Sequence, residues 1–489
     1  MFPPLQDLYR IGPEIILSLF GMLIMLIDPF VPARRKRSMG WLGFVGTLVA
    51  LASLRWAFLN RGSAYSDLFR MDTFSLFVHG IVIVVAALAI LGSFDYLDAE
   101  GIQRGEYYAL LLFATAGMGI LAGANELLTA FVGLEMSSIS TYILAGFRRT
   151  ALKSNESSMK YFLLGSFATA FFLYGIALTY GATRSTRFDV VSAALVAHGT
   201  GALLILGLGL IFVGLGFKVV AAPFQIYTPD VYEGAPTPVT AVLACGPKAA
   251  AFAVMLRIFY SAFGGASHTW FWAIWVSAVL TMCIGNFAAL VQSNVKRLLA
   301  YSSIAHAGYI LVAFAAASEI GVAAVLFYLA SYAAMTLGAF LIVAIVGGAG
   351  ERRLNVDDYA GLGTSQPWVA ACFSLFLLSL LGLPATAGFL GKFYAFSAAL
   401  DQRLVWLVVI AAINSVIGAY YYLKIIVAMY FWEPNQQWSP APMRASMFIA
   451  LLLSAAGTVY LGILPERVMQ WAIASAQSLH AMGIRVALH

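Results

Sequence analysis

Residues 203–224 read LLILGLGLIFVGLGFKVVAAPF, a run of twenty-two with one charge, Lys218, and with Pro223 five positions beyond it. A helix that crosses a bilayer needs about 20 consecutive apolar residues, and this run supplies them. A lysine at mid-membrane costs about 2.5–3.5 kcal/mol on insertion scales. Proline removes a backbone donor and clashes with the preceding turn, so the helix is expected to break near it. Broken helices are tolerated at membrane depth where they are buried in protein or line a cavity. The stretch therefore reads as a span interrupted beside a buried lysine.

The rest of the chain agrees. Of its 489 residues, 62% are hydrophobic and 10% charged, against about 25% charged in a soluble domain. So few charges would leave large apolar patches facing water, so lipid must be the solvent for most of this surface. A soluble enzyme, a secreted disulfide scaffold and a disordered chain are excluded. Apolar runs begin near Ile11, Gly40, Asp72, Tyr107, Glu126, Ser157, Gly201, Pro238, Thr269, Leu298, Gly321, Pro367, Leu404 and Met443. They predict an all-α polytopic membrane protein of about 14 transmembrane helices in one membrane domain. With Asp7 and Glu14 at its start and no small-residue cleavage site after it, the first run reads as a retained helix.

Basic residues collect in cytoplasmic loops. Arg34, Arg35, Lys36 and Arg37 form the densest cluster, which puts that loop inside and the N-terminus outside. Alternation then places Arg148, Arg149, Lys153, Lys296, Arg297, Arg352 and Arg353 inside as well, and an even number of spans returns the C-terminus to the outside. The net charge of +6 is scattered over short loops, so it reports topology and gives no sign of a nucleic-acid partner. From Glu466 to Met482, Trp471, Ile473 and Leu479 alternate with polar positions, which predicts a helix lying along the membrane surface.

Charges inside spans are candidate functional residues by default. They are Glu135 in LEMSSIS, Lys218, Lys248 in GPKAAAF, His306 in SSIAHAGY, Lys392 in FLGKFYAF and Lys424 in YYLKIIV. Burial draws a lysine toward neutrality and a nearby carboxylate restores its charge, which suits a proton relay. A second break is expected at Pro384, eight residues before Lys392. Each candidate has a plainer reading. Lys424, close to Trp432, can snorkel to the headgroups; His306 can be a hydrogen-bonded interior histidine; Glu156 and Lys160, at the start of a span and further relay candidates, can form an ordinary i,i+4 ion pair. Cys245, Cys283 and Cys372 stand alone in apolar runs with no metal-ligand spacing, so no metal site is expected. No dinucleotide or P-loop pattern occurs either.

Glu135 to His306 is 171 residues, Lys218 to Lys392 is 174, and Lys248 to Lys424 is 176. One offset for three polar positions predicts two five-helix repeats, spans 4–8 and 9–13, with the seventh and twelfth helices broken. An odd number of spans per repeat inverts the second copy, as in many transporters. The expected division is 1–106 for three N-terminal spans, 107–260 and 269–431 for the repeats, and 432–489 for the last span and surface helix.

PFQIYTPDVYEGAPTPVT (223–240), LAYSSIAHAGY (299–309), LPATAGFLGKFYAF (383–396), LEMSSIS around Glu135 and DDYAGL (357–362) resemble signatures of the antiporter-like, proton-pumping subunits of respiratory complex I, the NADH:quinone oxidoreductase. The resemblance covers nearly the whole chain. It implies a membrane-arm subunit that moves protons while redox chemistry proceeds elsewhere. FMN, iron–sulfur clusters and quinone would belong to partner subunits, with none bound on this chain. The implied partners are other membrane-arm subunits, antiporter-like ones included, in a bacterial inner membrane. Carried over by motif, Glu135 would pair with Lys218, and Lys248 would continue the path to His306 and Lys392. The family usually has histidine where this chain has Gln225, and glutamine cannot take up a proton at neutral pH. The rival readings are a secondary sodium/proton antiporter subunit and a purely structural arm subunit.

Overall fold

The computed structural model describes residues 4–434 and 443–480. Thirteen helices are long and apolar enough to cross a membrane. All fourteen expected runs open within five residues of a helix start, from Gly12–Ile27 to Ala445–Ile463. The run at Pro367 is the exception in length: it forms two 15-residue helices, Pro367–Leu381 and Ala387–Asp401. Among the described residues the only sheet is a two-stranded hairpin, Gly62–Ala64 with Phe69–Met71. The surface helix spans Glu466–His480; positions 481 and 482 lie outside the described residues. It buries Ala472, Ser475, Ala476 and Leu479, and Ser475 and Ser478 bond the backbone of Thr73 and Phe74.

Helix starts are fixed by side chains that satisfy otherwise orphaned N–H groups. Asp72 caps Thr73–Ala99 with a reciprocal bond to Ser75, Glu126 caps Leu127–Ala145, Asn294 caps Val295–Ala315 and Ser318 caps Glu319–Gly347. The most buried helices, Thr237–Leu256 and Val295–Ala315, have 94% of their most apolar stretch inside the protein. Both carry candidate residues.

Both breaks form and each contains its proline, though the helix stops before reaching it. The helix Ala202–Val219 ends at Val220, whose φ of 64° is left-handed. The chain then passes Pro223 and a 3₁₀ turn, Phe224–Tyr227, into Thr228–Gly234. The backbone freed there is satisfied by a neighbouring helix, Ser267–Leu290: Ala222 N donates to Thr281 Oγ1 at 2.8 Å and Ser277 Oγ donates to Ala222 O at 2.7 Å. The second break runs from Gly382, with φ of 99°, to Thr386. Pro384 is exposed. Gly462 of Ala445–Ile463 crosses this break so closely that a side chain there would collide with Thr386.

The five helices beginning at Gly105, Leu127, Leu152, Ala202 and Thr237 are followed by five beginning at Ser267, Val295, Glu319, Pro367 and Val405. Corresponding starts are 162–168 residues apart, less than the 171–176 that separates the polar positions. The polar residues therefore do not occupy matching positions in the two sets. Glu135 is the ninth residue of its helix and His306 the twelfth. Lys218 precedes its break and Lys392 follows its own.

The basic loops converge on one face. Glu351, in the loop after Glu319–Gly347, accepts from Tyr96 Oη at 2.8 Å, Thr237 N at 2.9 Å and Lys296 Nζ at 3.0 Å, and it pairs with Arg148 at 3.2 Å. Burial pushes the Glu351 carboxyl up, but Lys296 and the hydrogen bonds from Thr237, Lys296 and Tyr96 outweigh it and hold the group below its ordinary value. Arg148 also pairs with Glu100, and Arg37 and Arg444 both reach Asp98.

Candidate functional site

Lys218 ends its half-helix in an aromatic box. Its Nζ donates to Tyr142 Oη at 3.2 Å and lies 5.0 Å and 5.5 Å from the Tyr142 and Tyr161 ring centroids. Tyr161 stacks on Tyr227, and Tyr227 on Phe217. Gly165 makes room for Tyr142, since a Cβ there would collide with the phenol oxygen. Glu135 lies on the same helix as Tyr142, half-buried, and its Oε1 has no partner. Among the described residues no ion pair joins Glu135 to Lys218. The hydroxyls of Ser138 and Ser140 return to their own helix carbonyls, so they are not spent on Glu135. Gln225 is buried with its Oε1 unpartnered.

A second group surrounds the helices Val295–Ala315 and Glu319–Gly347. Lys248, beside Pro247 within Thr237–Leu256 and fully buried, donates to Ser303 O at 2.9 Å and Ser303 Oγ at 2.5 Å. Its Nζ lies 4.9 Å from the Tyr332 ring centroid, and the His306 ring lies 5.3 Å from the same tyrosine. His306 Nδ1 meets Tyr328 Oη at 2.8 Å, and Nε2 meets Tyr422 Oη at 3.2 Å; Ser302 completes the group through Tyr422. His306 also lies 5.8 Å from Tyr309, over which Lys392 sits at 4.9 Å. Lys392 donates to Leu381 O, the carbonyl freed at the second break, and to Ser415 Oγ, both at 2.8 Å. The structure thus joins Lys248, His306 and Lys392 through Tyr332 and Tyr309.

Charged lysine has three N–H donors. Lys218 uses one on a described hydrogen bond, and Lys248 and Lys392 use two each. One proton can leave any of the three with these bonds kept. Among the described residues no hydrogen bond links the Lys218 box to Lys248.

Glu156 and Lys160 do form their i,i+4 pair, at 2.7 Å, but Lys160 also reaches Asp230 at 2.8 Å. Arg297 pairs with Asp230 and Glu233, and Lys153 with Glu233. These groups line a cavity of about 160 Å³ on the face that carries the basic loops. Sequence reasoning quoted PDVYEG without singling out its two carboxylates, and it missed Tyr142, Tyr161, Ser303 and Tyr332. Lys424 is half-buried and makes no ion pair among the described residues. Among those residues no three His, Cys, Asp or Glu side chains are placed to share a metal.

Residues 124–418 match the family model described as NADH:quinone oxidoreductase/Mrp antiporter, transmembrane. NADH-quinone oxidoreductase subunit N 1 of Solibacter usitatus is 50% identical, with 97% of this chain and 98% of that one covered. NADH-quinone oxidoreductase subunit N of Trichlorobacter lovleyi is 46% identical over 95% of this chain and 96% of its own. Among solved structures, a chain of respiratory complex I from Thermus thermophilus is 35% identical, with a TM-score of 0.80 over 94% of this chain and 98% of that one. A chain of the Mrp complex from Dietzia superposes with a TM-score of 0.85 over 97% and 98%, but at 21% identity it speaks for the fold alone. With the match spanning nearly the full length of these relatives, the chain belongs to the NADH:quinone oxidoreductase/Mrp antiporter family of multi-pass membrane proteins.

Proposed function

We propose that the chain is a proton-translocating membrane-arm subunit of an NADH:quinone oxidoreductase, assembled with other antiporter-like subunits and driven by redox chemistry in its partners. FMN, iron–sulfur clusters and quinone belong, in this reading, to those partners. The observation that carries it is the buried run Lys248–Tyr332–His306–Tyr309–Lys392, three ionisable groups linked across the most enclosed helices of the protein. Buried ionisable groups are costly in a membrane and are kept where ions or protons pass. Protons enter from the cytoplasm near the cavity of Lys160, Asp230, Glu233 and Arg297, pass Glu135 and Lys218, and continue along the buried run. Glu135, with its free oxygen, and Lys218, with two unused N–H groups, form the element that a charge change in a neighbouring subunit biases. Lys424, on Val405–Phe431, is a further candidate for this path.

The converging basic loops support placing that face in the cytoplasm and both termini on the periplasmic side of a bacterial inner membrane. The repeated order of five helices supports two inverted repeats.

Proton pumping measured beside NADH-driven quinone reduction, in membranes carrying Lys248→Ala, tests the reading. Both activities should fall by about tenfold or more, since a positioned proton carrier contributes about 10²–10⁴-fold, while the complex remains assembled. Parental rates of both would make the lysine a packing residue.

A further inference from the structure

The helix that carries Lys248 does not end in the usual way. Nine residues on, about 14 Å along the axis at 1.5 Å per residue, it passes into a π-helical turn, Arg257–Ala262. Such turns are found frequently at functional sites. Arg257 is completely buried there. It donates to Asp72 Oδ1 at 2.6 Å and to Ala122 O at 2.9 Å, and its Nη1 has no partner. Asp72 in turn accepts from Ser75 N at 2.8 Å. One turn further along the same helix, Ser75 O meets His79 Nδ1 at 2.6 Å, and His79 Nε2 meets Glu14 Oε1 at 2.5 Å. Glu14 is 3% and His79 1% exposed.

This second ionisable group includes none of the residues predicted from sequence. It lies at the end of the bundle opposite the basic loops, where the hairpin, the start of Thr73–Ala99 and the surface helix meet. Three of its buried atoms, Glu14 Oε2, Asp72 Oδ2 and Arg257 Nη1, have no hydrogen-bond partner. Buried polar atoms without a partner are rare in folded proteins, and a role in catalysis or transport is one reason to keep them. Gly119 packs against the pair so tightly that a Cβ would stand 2.6 Å from Glu14 Oε1 and 2.9 Å from His79 Nε2. Asp72 faces Arg257 and, at 3.8 Å, the half-buried Arg70. Among the described residues Glu14 forms an ion pair only with His79, and the Arg257 charge also acts on His79. A buried carboxylate without a balancing charge costs several kcal/mol, and a proton held between Glu14 and His79 supplies that balance.

We propose that Glu14 and His79 form a proton-exchange site near the face opposite the basic loops, held against the helix of Lys248 through Asp72 and Arg257. When the pair discharges, the Nε2–H bond of the imidazolium breaks and the proton passes to Glu14 Oε1; a half-turn of the carboxyl brings that O–H to where Oε2 stood, and it breaks there to release the proton to water. No electron moves. This reading rests on the proton-translocating function proposed above.

The test uses the whole complex in inverted membrane vesicles, with Glu14→Gln, His79→Gln and Glu14→Asp beside Lys248→Ala. Glutamine at position 14 keeps the size and the contact but cannot carry a proton. Coupled pumping should drop by about tenfold or more in Glu14→Gln and His79→Gln. Glu14→Asp should recover part of it with a shifted pH profile, a response that mere packing would not give. Parental pumping in Glu14→Gln, with Lys248→Ala blocked, overturns this inference and leaves the relay standing. Parental pumping in Lys248→Ala overturns the relay itself. If neither glutamine variant assembles, the pair is structural and the proposal falls.

Discussion

The two broken helices solve one problem in different ways. At the first break the freed backbone of Ala222 is taken by Thr281 and Ser277 of a neighbouring helix. Lys218 is left with one 3.2 Å bond to Tyr142 and the faces of aromatic rings. At the second break the lysine itself covers the freed carbonyl, that of Leu381. The first lysine can therefore change charge or move without disturbing the backbone. The second can lose its spare proton but must stay where it is. The first lysine is free to respond, and the second is held in its geometry.

The largest test of this contrast replaces each lysine with methionine, which keeps the stem and removes the amine. Coupled pumping should fall in both, by about tenfold or more. Only Lys392→Met should also lower thermal stability of the solubilised complex, by about 1–3 kcal/mol, because a buried acceptor is left bare. Equal losses of stability would erase the distinction. A smaller effect is expected from Thr281→Val, which leaves Ala222 N without its acceptor. It should cost about 1 kcal/mol in thermal unfolding and shift pumping only through that loosening. Smallest of all is Tyr142→Phe, which keeps the ring beneath Lys218 and removes a single hydroxyl. Stability should stay within about 0.5 kcal/mol of the parent; a loss as large as that of Lys392→Met would mean that Lys218 is pinned as well.

The helices were legible because lipid demands about 20 apolar residues at a time, and few other features of a chain look like that. The lysines were legible because a charge stands out in such a run. The breaks were legible only approximately. Pro223 and Pro384 lie within the breaks, but the helices stop before them, at Val220 and Gly382, whose backbones are left-handed. The partners were harder still. Tyr142, Tyr332 and Tyr309 are three of 23 tyrosines, and nothing local separates a tyrosine that faces a lysine from one that faces lipid. The common offset of 171–176 was read as symmetry, yet the helices repeat at 162–168. The ionisable groups have been placed by what they must reach, a requirement that the helix framework does not share. Glu14 served only as a sign of a retained helix and His79 was not singled out, because both sit near the openings of their spans, where charge is unexceptional.

Glu351 has a consequence for how the molecule comes apart. Its carboxylate ties Tyr96, Arg148 and Thr237 of the first half of the chain to Lys296 of the second. Opening either half means stripping a buried anion of its cations, which costs about 3–5 kcal/mol. Local opening is drawn from regions with few such ties, so the two sets of five helices are expected to exchange their amide hydrogens as one unit; separate protection of the two sets in hydrogen exchange would overturn this. At this single side chain the two stretches of the chain are fastened to each other.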